Sequence, residues 1–199
     1  MVPEPIKKFI EAFSRLPSIG PRLATRLAFY LAHLDRTTFA ELTKAWAGLT
    51  HLDRCEQCFS LKDIKLKLCN ICSDPQRNKT IIAIIEKETD MLSIERTGQF
   101  KCNYLILGEL GDRGSLESNQ KLRLEHLKKR ILKDFGGKIK EIVVALNPNT
   151  FGDFAAEIIK QEFKSLAEKI TRLGRGIPTG GEIEFADEET LGSALERRN

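Results

Sequence analysis

The sequence predicts an α/β protein in four parts: a helical region at 1–53, a small cysteine module at 54–78, a parallel sheet flanked by helices at 79–174, and a strand-and-helix tail at 175–199. Three observations predict it. From residue 80 onward, near-continuous apolar runs alternate with amphipathic stretches, the pattern of a parallel sheet whose crossover helices cover both faces. Before the cysteines, apolar side chains recur at helical spacing. Between the two patterns lie two Cys-x-x-Cys pairs, where the natural boundary falls near residue 78.

In chain order, "IKKFIEAFSRL" (6–16) sets Ile6, Phe9, Ile10, Phe13 and Leu16 on one helical face. Only "PSIG" separates it from a second helix beginning at Pro21, since proline suits the first helical position. A third helix, opened by Thr38 and Glu41 in capping-box spacing, is expected to bury Phe39, Leu42, Trp46 and Leu49. The strands are "TIIAIIE" (80–86), "YLILG" (104–108), "EIVVAL" (141–146) and "KITRLG" (169–174). The helices between them lie near "DMLSIER" (90–96), around Leu122 to Leu132, and from Asp153 onward. The tail reads as a Gly/Pro loop, a short strand and a terminal helix. There is no internal repeat and no low-complexity segment.

Composition narrows the partners. A chain of 199 residues with 41% hydrophobic content builds a sizeable core. Its 32 basic and 28 acidic residues give a mildly cationic, mixed surface, which permits a nucleic-acid partner without requiring one. No apolar run approaches the roughly 20 residues that span a bilayer. The N-terminal "MVPEPIKKFIEAF" is amphipathic and lacks a signal-peptide core, so no membrane is expected and the expected address is the cytosol. Five cysteines in such a chain suggest reduced thiols or a metal site rather than a disulfide framework, with Cys102 left over as a small buried residue.

The most specific signal is "CEQCFSLKDIKLKLCNIC", in which ten residues separate Cys55-x-x-Cys58 from Cys69-x-x-Cys72. Four thiolates at tetrahedral corners suit one structural Zn²⁺ per chain and leave no open position for water. Redox pairs or buried free thiols are the alternative. Lys62, Lys65 and Lys67 in the insert read as a solvated basic tip.

The stretch "LPSIGPRLATRLAFYLA" looks like a helix-hairpin-helix. In such a unit the Gly20 turn lets backbone N–H groups approach a phosphate, while Arg22 and Arg26 add charge one turn apart, giving sequence-independent DNA binding. An ordinary helical hairpin with two exposed arginines has the same spacing, and Ser18 replaces the first glycine of the usual hairpin. The third signal is acidic: Glu86, with Glu88 and Asp90 just beyond, and Asp153 follow strands at the end where open α/β sheets place their sites. Convergent carboxylates there could hold Mg²⁺; a helix-capping acid is the other reading of Asp153. No P-loop is present, because "GIPTGG" lacks the Gly-Lys-Ser/Thr ending.

In order and content these parts resemble the RecR family of bacterial recombination mediators: a helix-hairpin-helix, a four-cysteine zinc finger, a Toprim-like α/β domain and a Walker-B-like tail. The resemblance covers nearly the whole chain, most specifically "LPSIGPRLATRLAF", the doubled cysteine pairs, "IERTGQF", "ALNP" and "GIPTGGEIEFADEETLGSAL". It implies a non-enzymatic protein of DNA repair and recombination that forms a ring-shaped homotetramer able to encircle DNA. Such a ring works with RecO and RecF to help load RecA onto gapped, SSB-coated DNA, which implies a cytoplasmic, nucleoid-associated location. The family's two basic DNA-binding positions match Arg22 and Arg26, its acidic RecO-docking face matches Glu86, Asp90 and Asp153, and its Walker-B-like acids match Asp187, Glu188 and Glu189.

The chain departs from the family pattern twice. Where the family has acid-Gly-acid after its Asn-Pro, this chain has Phe151-Gly152-Asp153, so a three-carboxylate Mg²⁺ site cannot be assembled there. The loop after the second strand, "GELGDRGSLES" (108–118), keeps the family's length but not its residues. A DNA-binding mediator is therefore the leading reading. A Toprim-type Mg-dependent nuclease or primase is the enzymatic alternative, and a protein-interaction scaffold without DNA binding is the third.

Overall fold

The computed structural model describes residues 2–111 and 115–196. The chain divides into two compact units, Met1–Leu52 and Asp53–Asn199.

The smaller unit is helical: α1 (Glu4–Phe13), α2 (Pro21–Ala32) and α3 (Arg36–Gly48), followed by a 3-10 turn at Leu49–His51. Ile6, Phe9, Ile10, Phe13 and Leu16 are half-buried as the periodicity predicts. In α2 the buried positions are the small residues Ala24 and Ala28, which let α1 approach closely. Two expectations for α3 fail. Its cap is Asp35, whose carboxylate accepts from the Thr38 amide (2.9 Å) and hydroxyl (2.7 Å). Asp35 stands at the extended residue before the first turn, and Thr38 is already inside the helix, where it acts as donor. Phe39, Leu42, Trp46 and Leu49 are also not buried; between 47% and 61% of their surface remains accessible. Among the described residues Phe13 makes a ring contact with Trp46, with centroids 5.4 Å apart.

From the boundary onward, β1 (Leu52–Arg54), β2 (Leu61–Asp63) and the one-turn α4 (Asn70–Ser73) frame the cysteines. The sheet is built from β3 (Asn78–Ile85), β4 (Cys102–Ile106), β5 (Ile139–Val144) and β6 (Ala167–Arg172). All pairings are parallel, in the order β4-β3-β5-β6. The connecting helices are α5 (Glu88–Arg96), α6 (Ser118–Asp134) and α7 (Thr150–Phe163). The two faces follow the period of 2 that a pleated strand imposes. Ile82, Ile84, Leu105, Leu107, Ile142 and Val144 pack with Leu124, Leu127 and Ile131 of α6 and Ile159 and Phe163 of α7. Ala83, Ile85, Tyr104, Ile106 and Ala145 pack with Met91 of α5 and with Ile71 of α4. The predicted parallel sheet between helices is thus observed.

Three details differ from expectation. The helix after "NPNT" starts at Thr150, not Asp153, because Asn149 caps it by accepting from the Gly152 amide at 2.8 Å. The tail has no strand: "EIEF" supplies only a 3-10 turn at Ile183–Phe185 before α8 (Glu188–Glu196). An alternating tetrapeptide becomes a strand only when a neighbouring edge takes its hydrogen bonds, and Ile183 and Phe185 are 68% and 80% exposed. Lys62 is not at a solvated tip; its side chain is 4% exposed and reaches Asp53 at 3.4 Å.

At Gly152 the first turn of α7 passes so close to the preceding loop that an added Cβ would lie 1.9 Å from the Asn147 carbonyl oxygen. Backbone cannot yield as a flexible side chain does. Gly152→Ala should lower stability by about 1–3 kcal/mol, measured by urea denaturation; an unchanged midpoint would show that the loop relaxes freely.

Candidate metal centre and nucleic-acid interface

Cys55, Cys58, Cys69 and Cys72 lie within 4.8 Å of one another at their ligand atoms, and all four are buried. The approach to β2 and the one-turn α4 position the pairs. After Cys55-x-x-Cys58 the chain reverses through Phe59, whose φ of 64° is left-handed. That turn is held by the Phe59 amide donating to the Cys55 carbonyl (3.0 Å) and the Cys55 amide donating to the Ser60 carbonyl (2.8 Å). The second pair opens α4, where the Cys72 amide donates to Cys69 Sγ (3.5 Å) and the Cys69 amide to Cys55 Sγ (3.4 Å). Amide donors aimed at sulfur favour thiolates over thiols.

The thiols do not titrate independently. The Cys58 bond pulls Cys55 far below the ordinary thiol range, and the same contact pushes Cys58 far above it. At Cys69 the Cys55 bond acts upward, but the Cys58 and Cys72 bonds outweigh it and the group settles at about 6. Cys55, and after it Cys58 and Cys69, push Cys72 up. Four sulfurs held this close, with amide donors aimed at two of them, form a donor set for a soft or borderline cation, and these cysteines could hold a metal ion. Cys102 is not among them: it is half-buried at the head of β4, and burial pushes its thiol up.

In the hairpin, Ser18 adopts a φ of 62°, so the serine takes the left-handed conformation that glycine has in the usual motif. Gly20 is the extended N-cap of α2, and an added Cβ would meet nothing within 4 Å, so this chain's own packing does not require the glycine. Arg22 and Arg26 follow on α2, exposed and without an ion-pair partner among the described residues. The smaller unit holds seven lysines and arginines against four acids; two of its cations are paired, Lys7 with Glu4 and Arg15 with Glu11.

At the carboxyl end of the sheet the acids are already engaged. Glu86, 6% exposed, accepts from the Asn147 amide at 3.0 Å and so ties the loop after β5 to the end of β3. Asp90 accepts from the Lys87 amide at 3.1 Å and caps α5. Asp153 sits between Arg175 (2.5 Å) and Arg172 (2.7 Å), and the Arg175 bond above all holds its carboxyl below the usual range. Arg175 also pairs with Glu189, while Asp187 caps α8 through the Thr190 amide (2.9 Å) and hydroxyl (2.7 Å). Asp90, Arg172, Arg175, Asp187 and Glu189 line an open cleft of about 670 Å³ beside the ends of β5 and β6. Phe151 lines a separate crevice with Leu110, Leu116 and Phe154. The two departures from the family pattern therefore adjoin each other; Asp112–Gly114 of that loop lie outside the described residues.

Arg77, Glu95 and Tyr104 form a network that the sequence reading did not single out. Arg77 bonds Glu95 (3.0 Å) and the Cys102 and Phe100 carbonyls (2.8 and 3.1 Å), and the Tyr104 hydroxyl donates to Glu95 at 2.6 Å. Arg130, missed likewise, is 7% exposed on α6. Its signal was present: it lies three residues after Leu127 and directly before Ile131, on the helix's apolar stripe.

Among the described residues no helix is long and apolar enough to cross a membrane. Residues 6–47 match the family model described as "RecR, helix-hairpin-helix", 80–174 that of the "Toprim domain", and 176–199 that of "RecR, C-terminal". Relatives named "Recombination protein RecR" include that of Chloroflexus aggregans, 37% identical over 100% of this chain and 95% of the relative. That of Gloeobacter violaceus is 35% identical over 100% and 98%, and that of Paenarthrobacter aurescens 36% over 98% and 96%.

The Asp153 clamp carries a pH signature. Because the folded carboxyl is held below its ordinary value, its stabilisation is complete above the ordinary carboxylate range and disappears as pH falls through the lowered value. The site is 41% exposed, so the effect is under about 1 kcal/mol after screening. Asp153→Asn should lower the melting temperature slightly at pH 7 and not at pH 2; equal losses at both would mean the arginines contribute nothing.

Proposed function

This chain belongs to the RecR family of recombination proteins, and we propose that it is a non-enzymatic, DNA-binding mediator of recombinational repair. It assembles as a ring-shaped homotetramer that holds single- or double-stranded DNA without reading sequence. With RecO and RecF it helps load RecA on gapped DNA, which places it on the nucleoid in the cytoplasm.

The observation that carries the reading is the pair Arg22 and Arg26: both reach solvent beside a helix N-terminus, unpaired, in a unit with an excess of cations. The missing Cβ at Gly20 leaves room for a phosphate to approach the α2 amides, where the helix dipole favours an anion. Cys55, Cys58, Cys69 and Cys72 hold one Zn²⁺, a structural crosslink for a module too small to build its own core. The largely exposed apolar face of α3 supports self-assembly.

A hydrolytic Toprim centre has little to work with here. Glu86 is buried against an amide, Asp153 is neutralised by two guanidiniums, and Phe151 stands where an acid would be needed. The Tyr104 hydroxyl is fully buried on Glu95, and burial pushes its pKa up, which leaves it no role as a nucleophile. On the RecO-docking face Asp90 and Asp153 reach solvent, and Glu86 holds the loop between them.

Gel-shift titrations of the full chain over several salt concentrations test the assignment. Arg22→Ala with Arg26→Ala should weaken binding about tenfold or more and make the log–log salt slope shallower by about 2, at about 0.9 per phosphate contact. Unchanged affinity and slope would remove these arginines from the interface, and no DNA binding by the parent protein would favour the scaffold reading.

A further inference from the structure

Arg130 is a charged side chain in the wrong place for an ordinary helix surface. It is 7% exposed, and only one of its donors is matched: Nη1 gives a hydrogen bond to the Gln57 carbonyl at 2.7 Å. Nε and Nη2 are buried with no hydrogen-bond partner. One bond to a neutral carbonyl does not offset the removal of a guanidinium from water. Burial acts most strongly against its cationic form, and the groups that act the other way are Cys72, Cys58, Asp134 and Cys55. Three of the four belong to the sulfur cluster, and Asp134 is solvent-exposed. Four thiolates around a divalent cation carry a net charge of −2, buried here. An anion of that size in a low-dielectric setting calls for a buried cation, and Arg130 is one without an assigned counter-charge.

We propose that Arg130 is the counter-cation of the metal–tetrathiolate centre and couples metal retention to the docking of the cysteine module on α6. The inference rests on the reading that the four cysteines hold a metal ion. Gln57 lies inside the first Cys-x-x-Cys turn, so the guanidinium that compensates the centre's charge also grips the loop that supplies two of its ligands. Arg130 is a positioning residue: it acts through the thiolates and does not ligate the ion.

Three variants of the full chain separate charge from docking. Arg130→Met removes both, Arg130→Gln keeps a neutral donor for the Gln57 carbonyl, and Arg130→Lys keeps the charge. Zinc affinity is measured by competition with a chelator of known affinity, and cobalt-substituted protein is followed by its thiolate-to-metal absorption. The Met and Gln variants should lose about 10–100-fold in metal affinity with a shifted cobalt–thiolate band, and Lys should recover most of both. Parental affinity in the Gln variant would overturn the proposal, since docking alone would then suffice. If the Met variant does not fold, the Lys and Gln pair decides the matter. Parental protein that takes up no zinc overturns the metal reading itself, whereas one zinc per chain with equal affinity in all variants overturns only the role of Arg130.

Discussion

The hydrogen bond from the Ile106 amide to the Cys58 carbonyl, 2.9 Å, is the joint on which the larger unit depends. Ile106 ends β4, an edge strand of the sheet. An edge carries unpaired amides that must be matched or exposed, and the turn that gathers the thiols matches this one. The same turn drives Phe59 into the left-handed region, an uncommon place for a bulky residue. The ring that results packs on the sheet's core, lies under Arg123 at 5.3 Å and meets His126 edge-on at 5.2 Å, both on α6. Drawing four cysteines together thus fixes a backbone reversal, the reversal places an aromatic ring, and the ring seats a helix.

At the carboxyl end of the sheet, by contrast, the acids are balanced by protein groups alone. A cation site needs carboxylates free to turn inward. Asp153 instead faces two guanidiniums, one of which also reaches Glu189 in the tail, so its charge is met within the fold. Phe151 completes the exchange, because an aromatic ring among Leu110, Leu116 and Phe154 gains from apolar contact where an acid would have needed a partner.

How far the sequence could be read follows from what each signal encodes. Strands and crossover helices were legible because alternation and helical period report the faces of an element directly: Ile82 and Ile84 point one way and Ala83 and Ile85 the other. Doubled cysteine spacing announced the sulfur cluster for the same local reason. Caps were harder, since Asp35-x-x-Thr38 and Thr38-x-x-Glu41 offer the same spacing and Asn149 competes with Asp153 for the start of α7. The burial of Lys62 was illegible: a long cation reads as solvated unless the group that neutralises it is known, and here that group, Asp53, comes from before the cysteines. The tail's missing strand has the same cause, because alternation shows a capacity to pair and not the presence of a partner.

That distinction bears on assembly. Amphipathicity in α3 foretold a buried face, and within the smaller unit Phe39, Leu42, Trp46 and Leu49 remain largely in water. The tail repeats the situation with Ile183 and Phe185, on the other unit. Side chains of this size cluster on a surface when something is meant to cover them, and neither unit supplies the cover for its own patch. Closed assemblies of identical subunits bury such patches economically, since every copy brings the same surface and symmetry leaves no open end. The proposed homotetramer therefore answers a question posed by the single chain: where the apolar residues that the sequence assigns to a core find one.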